Sequence, residues 1–491
     1  RVKIIYLTIL IISFITMNII MFTLANIENL QRPIPPIQNP YVNIKIKTKL
    51  EGKVSSNFGT FYRIDLDGNG FYDSLVIIGK ITDERYSRDK ANSIDYSIED
   101  GSFYLAGSSG ESAILLKLDI DGKLDTTFNG KGYIVFNKFS NNSMEEARSV
   151  EVSKEGKIYT LLKAIKDDRY YTILYRMEKN GSIDNNFQDA GKYVFSQGER
   201  GSIGNFLFID QKGITYFGGF TFAREKRNIS FLNILDPQEN RITNYSGIIN
   251  HNRDQNRLVS VYVDNNGKIY KLVKTWKPSD SEKPRAIANL DTKICIERLF
   301  QNRLPDYSFG DRGTVILDNI GGAQEGPDIP YSIYVYNNKI YITGSTKDST
   351  NKFRLFVARL NEDGTLDNSF GTGGYFILNN HPNNQISEGI HMHFDLEGNL
   401  YVIGNEGNNI INESLIVIKL NDSGQIDTSF GKQGKLKING FVTPTGKTIE
   451  QIECADICTD SQGNLYIAAT AEYFDREENK SITYIVVFKI E

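Results

Sequence analysis

The 491-residue sequence predicts an all-β fold built from short, repeated antiparallel sheets, and three observations predict it. Tyr and Phe are abundant, at 27 and 28 residues, and together with Ile and Val they favour pleated, packed strands. A phenylalanine motif returns at near-constant spacing along the chain. A tyrosine marker returns in phase with it.

The phenylalanine motif is clearest in "LDNSFGTGGYFIL" (366–378) and "IDTSFGKQGKLKI" (426–438). Aligned on the aromatic residue, the series is Phe128, Phe187, the weaker Tyr245 in "ITNYSGIIN", Phe309, Phe370 and Phe430, with steps of 59, 58, 64, 61 and 60 residues. The second marker is a tyrosine after a tight polar turn: Tyr104, Tyr159, Tyr216, Tyr270, Tyr341, Tyr401 and Tyr466. Each period carries four apolar runs separated by turn signals. In the unit 147–195 these are "ARSVEVS", "IYTLLKA", "YYTILYRME" and "KYVF". Four strands per unit describe a propeller blade, because such a unit buries both faces only by packing radially against its neighbours. Seven blades of about 60 residues fill 74–490.

Within the motif, Asp363-Gly364 supplies the positive φ of a hairpin turn. Asp367 is placed to bond nearby backbone N–H groups, and Phe370 is expected to bury its ring between blades. The motif therefore reads as structural. The pattern D-G-x-L-D-x-S-F-G-x-x-G, followed by a strand and later by "GNLYVIG", resembles the delta-60 repeat of bacterial β-propellers. The resemblance spans about 74–490. It is strongest at 353–470, fair at 115–220 and eroded around 230–310, where "CIERLFQNRLP" carries extra residues. It implies a propeller in exported bacterial proteins and carries no catalytic residues across.

Ring closure follows from the strand order. With the alternating run innermost and "KYVF" outermost, the last unit ends at "TYIVVFKIE" with three strands, and "SLVIIG" (74–79) supplies its fourth. The alternative is an eighth, degenerate blade built from "VNIKIKTKLEGK" and "FYRIDLDG".

Ahead of the propeller domain (42–491) lie two other segments. Residues 4–25 carry no charge and follow Arg1 and Lys3, so 1–25 reads as a signal peptide or a membrane-anchoring helix; either places the body outside the cytoplasm. Residues 26–41 form a linker whose "QRPIPPIQNP" is an extended spacer. The net charge of −4 with no Lys/Arg stripe argues against nucleic acid. Three cysteines without a CxxC pair argue against a disulfide framework or a zinc site. Cys454 and Cys458, four apart in a strand, would lie about 13 Å from each other, too far to bridge without a bulge.

Three places could carry function. "DLDGNGFYD" (65–73) alternates oxygen donors: the side chains of Asp65, Asp67, Asn69 and Asp73 and the carbonyl of Phe71 suit a structural calcium ion, with Gly70 making the sharp turn. Position 12 of an EF-hand would be Val76, so the loop resembles the strand–loop–strand calcium loops of other propellers; a plain solvated Asp/Gly turn is the alternative. His391 and His393 share one strand face at the inner position, and the aligned register of the next blade holds Asp456 and Cys458. These four could gather at the channel around a ligand or transition metal, or simply line a wet channel as Ser149, Glu151, Ser260 and Tyr262 would. Finally, the crossovers 137–148, 318–330 and 379–389 and the charged loops 166–169, 223–227 and 475–480 vary from blade to blade on one face, where binding usually resides.

No G-x-S-x-G elbow, HExxH or phosphate-cradling Gly-Lys-Ser/Thr is present. The sequence thus favours an exported binding module for a protein or glycan over an enzyme. The alternative is an exported carbohydrate hydrolase or lyase, with Asp95, Glu151 and Asp456 as inner-strand acids. A quinone-dependent dehydrogenase fits poorly, since Trp276 is the single tryptophan.

Overall fold

The computed structural model describes residues 60–61, 74–79, 81, 88–136, 143–223, 228–246, 254–277, 291–323, 326–379, 385–395, 397–408, 411–443, 446–477 and 479–490. The N-terminal segment, the linker and the calcium loop with Asp65, Asp67, Asn69, Phe71 and Asp73 lie outside these residues.

Seven antiparallel sheets form, and in six of them four strands follow one another in chain order. Blade 1 is Asp89–Ser97, Ser102–Ser109, Ser112–Leu118 and Tyr133–Val135. Blade 2 is Met144–Val152, Ile158–Lys166, Arg169–Met177 and Lys192–Phe195. Blade 3 is Ser202–Ile209, Thr215–Phe222, Asn228–Asp236 and Arg241–Ser246. Blade 4 is Gln255–Val263, Ile269–Trp276, Thr292–Leu299 and Thr314–Leu317. Blade 5 is Asp328–Tyr336, Lys339–Lys347, Phe353–Leu360 and Tyr375–Ile377. Blade 6 is Gln385–Phe394, Leu400–Asn408, Ile411–Leu420 and Lys435–Ile438.

Blade 7 combines both ends of the propeller. Gln451–Thr459, Leu465–Asp475 and Lys480–Ile490 are joined at the outer edge by Ser74–Ile78, with Val76 opposite Val487. This is the closure expected from "SLVIIG". Thr60–Phe61 then pairs with Ser74 and Leu75 as a fifth strand of the same sheet. The described part of "FYRIDLDG" therefore extends blade 7 and starts no eighth blade, because the open edge of Ser74–Ile78 offers it backbone partners. The first strands of consecutive blades pack on one another all the way round, blade 7 against blade 1 included. The first strand of each blade is thus innermost.

The apolar core is a ring of interblade layers. Each of the seven buried clusters combines residues of two neighbouring blades. The motif phenylalanines sit in these layers: Phe128, Phe187, Phe309 and Phe430 are fully buried and Phe370 is 1% exposed. Phe370 meets Tyr341 edge-on at 6.0 Å, and the next blade's turn closes over it. A Cβ on Gly424 would lie 2.8 Å from the Phe370 ring, and one on Gly364 2.9 Å from that of Phe309. Glycine there serves the positive φ of the turn and the close approach together.

A pairing the motif reading missed holds the turn. Eight residues before the motif aspartate stands a cation that binds it: Lys117–Asp125 at 3.0 Å, Arg176–Asp184 at 2.9 Å, Arg298–Asp306 at 2.8 Å, Arg359–Asp367 at 2.9 Å and Lys419–Asp427 at 3.2 Å. The Arg359 guanidinium also lies 4.6 Å over the Phe370 ring. Burial opposes ionisation of Asp367, but the Lys339 ammonium, the Ser369 hydroxyl and amide, and Arg359 hold it well below the usual carboxylate range. The tyrosine marker has a similar explanation. Its hydroxyl reaches back to the preceding turn's aspartate, as in Tyr466 to Asp460 at 2.9 Å and Tyr104 to Asp100 at 3.2 Å.

Blade 3 departs from the repeat. Its outer hairpin turns directly from Asp236 to Arg241, and Tyr245 lies within the outer strand opposite Leu232. Tyr245 therefore does not occupy the motif-phenylalanine position its alignment implied: without the long motif turn there is no loop to carry it between blades.

Candidate functional site: the central channel

Every inner strand carries a β-bulge at the same depth. The register against the second strand slips between Ala91 and Ser93, Ala147 and Ser149, Gly204 and Phe206, Leu258 and Ser260, Pro330 and Ser332, Gly389 and His391, and Cys454 and Asp456. A bulge re-aims the side chains that follow it. Here the first and third residues after each slip line a central pocket of about 450 Å³. The upper layer reads Ser93, Ser149, Phe206, Ser260, Ser332, His391 and Asp456 around blades 1 to 7. The lower layer reads Asp95, Glu151, Phe208, Tyr262, Tyr334, His393 and Cys458.

The two layers are not symmetric about the axis. Blades 3 to 6 contribute a continuous aromatic arc: Phe208–Tyr262 at 5.5 Å, Tyr262–Tyr334 at 4.8 Å and Tyr334–His393 at 6.3 Å between ring centroids. Blades 7, 1 and 2 contribute the acids Asp456, Asp95 and Glu151. Each acid accepts a backbone N–H from the inner strand of the next blade. Asp456 Oδ2 takes Ile94 at 3.1 Å, Asp95 Oδ2 takes Val152 at 2.7 Å, and Glu151 takes Ile209. The second oxygens of Asp456 and Asp95 accept the adjacent amides of Ile457 and Tyr96, both at 2.8 Å.

Burial dominates the electrostatics. It pushes Asp95 up to about 7, against the bonded N–H groups of Val152 and Tyr96, with the charge of Asp456 adding to the rise. Burial, then the charges of Asp95 and Asp456, push Glu151 well above the usual carboxylate range. Asp95 and Glu151 thus tend to hold protons near neutral pH.

The four residues singled out from the sequence line this channel, and they pair only in part. His391 Nε2 stands 3.7 Å from Asp456 Oδ1, and its Nδ1 lies 3.1 Å from the Met392 carbonyl. His393 turns to Thr459, with Nε2 at 3.0 Å from the hydroxyl; burial, then the charge of His391, lowers it to about 4 and keeps it neutral. Burial, with the charges of Asp95 and Asp456, pushes the Cys458 thiol up, so it is held in its neutral form. Among the described residues no group of three or more His, Cys, Asp or Glu side chains is placed to hold a metal ion. Cys295, Cys454 and Cys458 are buried free thiols. A bulge at Ala455 does fall between the last two, and they remain unbridged.

The aromatic arc went unread as a group because its members lie in four blades, although Tyr262 was visible as a channel residue. The inner-strand position of Asp95, Glu151 and Asp456 was legible. Their role as acceptors for the next blade was not, since it depends on the bulge.

One family model supports the propeller fold over part of the chain. A family model described as a domain of unknown function (DUF5122) beta-propeller matches residues 337–370, which run from the first turn of blade 5 through its motif phenylalanine. No curated relative matches the chain. Among solved structures, a protein of unknown function from Dyadobacter fermentans DSM 18053 is similar at 10% identity and a TM-score of 0.39, covering 82% of this chain and 96% of its own. Prolyl oligopeptidase B from Galerina marginata is similar at 11% identity and a TM-score of 0.40, over 81% of this chain and 50% of its own. A puromycin hydrolase is similar at 12% identity and a TM-score of 0.42, over 81% and 53%.

Proposed function

We propose that this propeller is an exported binding module that holds a protein or glycan ligand on its variable loop face and channel mouth. The observation that carries the reading is the engagement of the channel acids. Asp456, Asp95 and Glu151 each brace the inner strand of the next blade through a backbone N–H. Acids committed in this way hold the ring together, while the aromatic arc opposite offers ring faces on which a sugar or an aromatic side chain can stack.

Export rests on the uncharged run 4–25 behind Arg1 and Lys3. Calcium, coordinated by Asp65, Asp67, Asn69, Asp73 and the Phe71 carbonyl, would fix the N-terminal strand pair on the edge of blade 7. A glycan array and a pull-down from envelope extracts, each with and without EDTA, test the proposal. It predicts retention of a specific ligand, with binding and melting temperature both falling in EDTA. A melting temperature unchanged across millimolar calcium counts against the metal, and failure to retain any glycan or protein counts against the module.

A second reading is a carbohydrate hydrolase or lyase, and the proton held by Asp95 near neutral pH is what favours it, since a general acid needs one. Release of reducing ends from a polysaccharide by the wild type, abolished in Asp95→Asn, would select it.

A further inference from the structure

Arg257 and Lys274 are directly opposite each other on the first two strands of blade 4, so both side chains leave the sheet on one face. They stand two residues in from the loop-face edge, where Gln255 begins the inner strand and Trp276 ends the second. The guanidinium packs against two rings: Phe220 of blade 3 at 4.1 Å and Trp276 at 5.5 Å from its centre. Its Nε is buried without an acceptor. Among the described residues neither cation has a carboxylate partner, and each stands in the field of the other. Burial, with the neighbouring Arg257 charge, lowers Lys274 to about 8.

Among the described residues, buried cations elsewhere are paired. Arg298 meets Asp306 at 2.8 Å, Lys271 meets Glu297 at 2.6 Å and Arg359 meets Asp367 at 2.9 Å. Two adjacent, partly desolvated cations with no counter-charge are costly unless an anion answers them. A planar guanidinium packed against two rings, with an ammonium opposite it in the register, supplies forked and single donors of the kind a tetrahedral oxyanion accepts.

We infer that Arg257 and Lys274, set between blades 3 and 4 on the loop face, form a binding site for a phosphate or sulfate group. Phe220 and Trp276 hold the guanidinium in place. The group could come from an inorganic ion or from an ester on a larger ligand such as a sugar. The site is independent of the channel and of what the channel holds.

Trp276, the only tryptophan in the chain, reports on the site directly. The full chain is titrated with inorganic phosphate, inorganic sulfate and glucose 6-phosphate at constant ionic strength, with sodium chloride as control, following tryptophan emission and melting temperature. The expected result is a saturable emission change and a rise in melting temperature with at least one oxyanion and not with chloride. A stronger response to glucose 6-phosphate than to phosphate identifies an ester ligand, and the reverse identifies the free ion. In Lys274→Met and Arg257→Lys, both checked for unchanged far-ultraviolet circular dichroism, affinity should fall about tenfold or more. A wild-type response indistinguishable from chloride overturns the assignment, and so does undiminished affinity in a folded Lys274→Met.

Discussion

Phe370 has 1% of its surface exposed and fills the layer between blades 5 and 6, while Arg359 and the Gly424 turn close over its ring. Phe370→Ala should lower unfolding free energy by about 3–5 kcal/mol in urea denaturation, because the rigid turn glycine cannot collapse into the hole. Tyr245→Ala should cost clearly less, since Tyr245 is only half-buried in an outer strand. Lys274 makes the opposite prediction. In chloride buffer, Lys274→Met should raise stability by on the order of 1 kcal/mol, because an uncompensated cation leaves a partly buried site. Asp95 adds a pH dependence. Its folded pKa of about 7 lies above the ordinary 3.8, so the folded state binds the extra proton between these values. That contribution is fully present below about 4 and is lost as pH rises through about 7. Asp95→Asn should therefore gain stability relative to wild type across that interval, and equal pH slopes for the two proteins would contradict the assignment.

The strands were legible because their signals are local. Alternation in "SVEVS", the Asp-Gly turns and the phase of Tyr and Phe each mark one strand or one turn without reference to the rest of the chain. The bulges were not legible. The extra residues Asn92, Arg148, Asn205, Val259, Tyr331, Ile390 and Ala455 have no common side chain, so nothing local in the sequence marks the backbone slip they share. The cation eight residues before each motif aspartate was written in the sequence, yet only the folded hairpin shows that third strand and turn converge. Blade 3 misled the alignment because spacing alone cannot distinguish a motif turn from a tight hairpin of similar total length. The closing strand Ser74–Ile78 carries its own prediction. Leu75 is fully buried in the layer between blades 6 and 7, so Leu75→Ala should cost about 2–5 kcal/mol and loosen the C-terminal strand Lys480–Ile490 in hydrogen exchange before the other blades.

At the scale of the whole molecule, the ring keeps its regularity on the motif-turn face and loses it on the opposite face and along the axis. Motif turns repeat between blades, whereas crossovers and second-to-third-strand loops differ, and the axis divides into an acidic side on blades 7, 1 and 2 and an aromatic side on blades 3 to 6. A seven-fold repeat would have given seven like residues per layer, and the two layers depart from that on opposite sides of the axis. The sequence reached the channel and its acids, but not the division of labour between acid and ring, because that is a property of blades far apart in the chain. The most direct test of the central claim, that this channel and loop face bind without transforming, is to incubate the protein with each glycan it retains and weigh the ligand afterwards by mass spectrometry. The account predicts saturable binding and recovery of intact ligand at every pH from about 4 to about 8, a range that brackets the Asp95 value of about 7. Accumulation of cleaved product that disappears in Asp95→Asn or Glu151→Gln would contradict it.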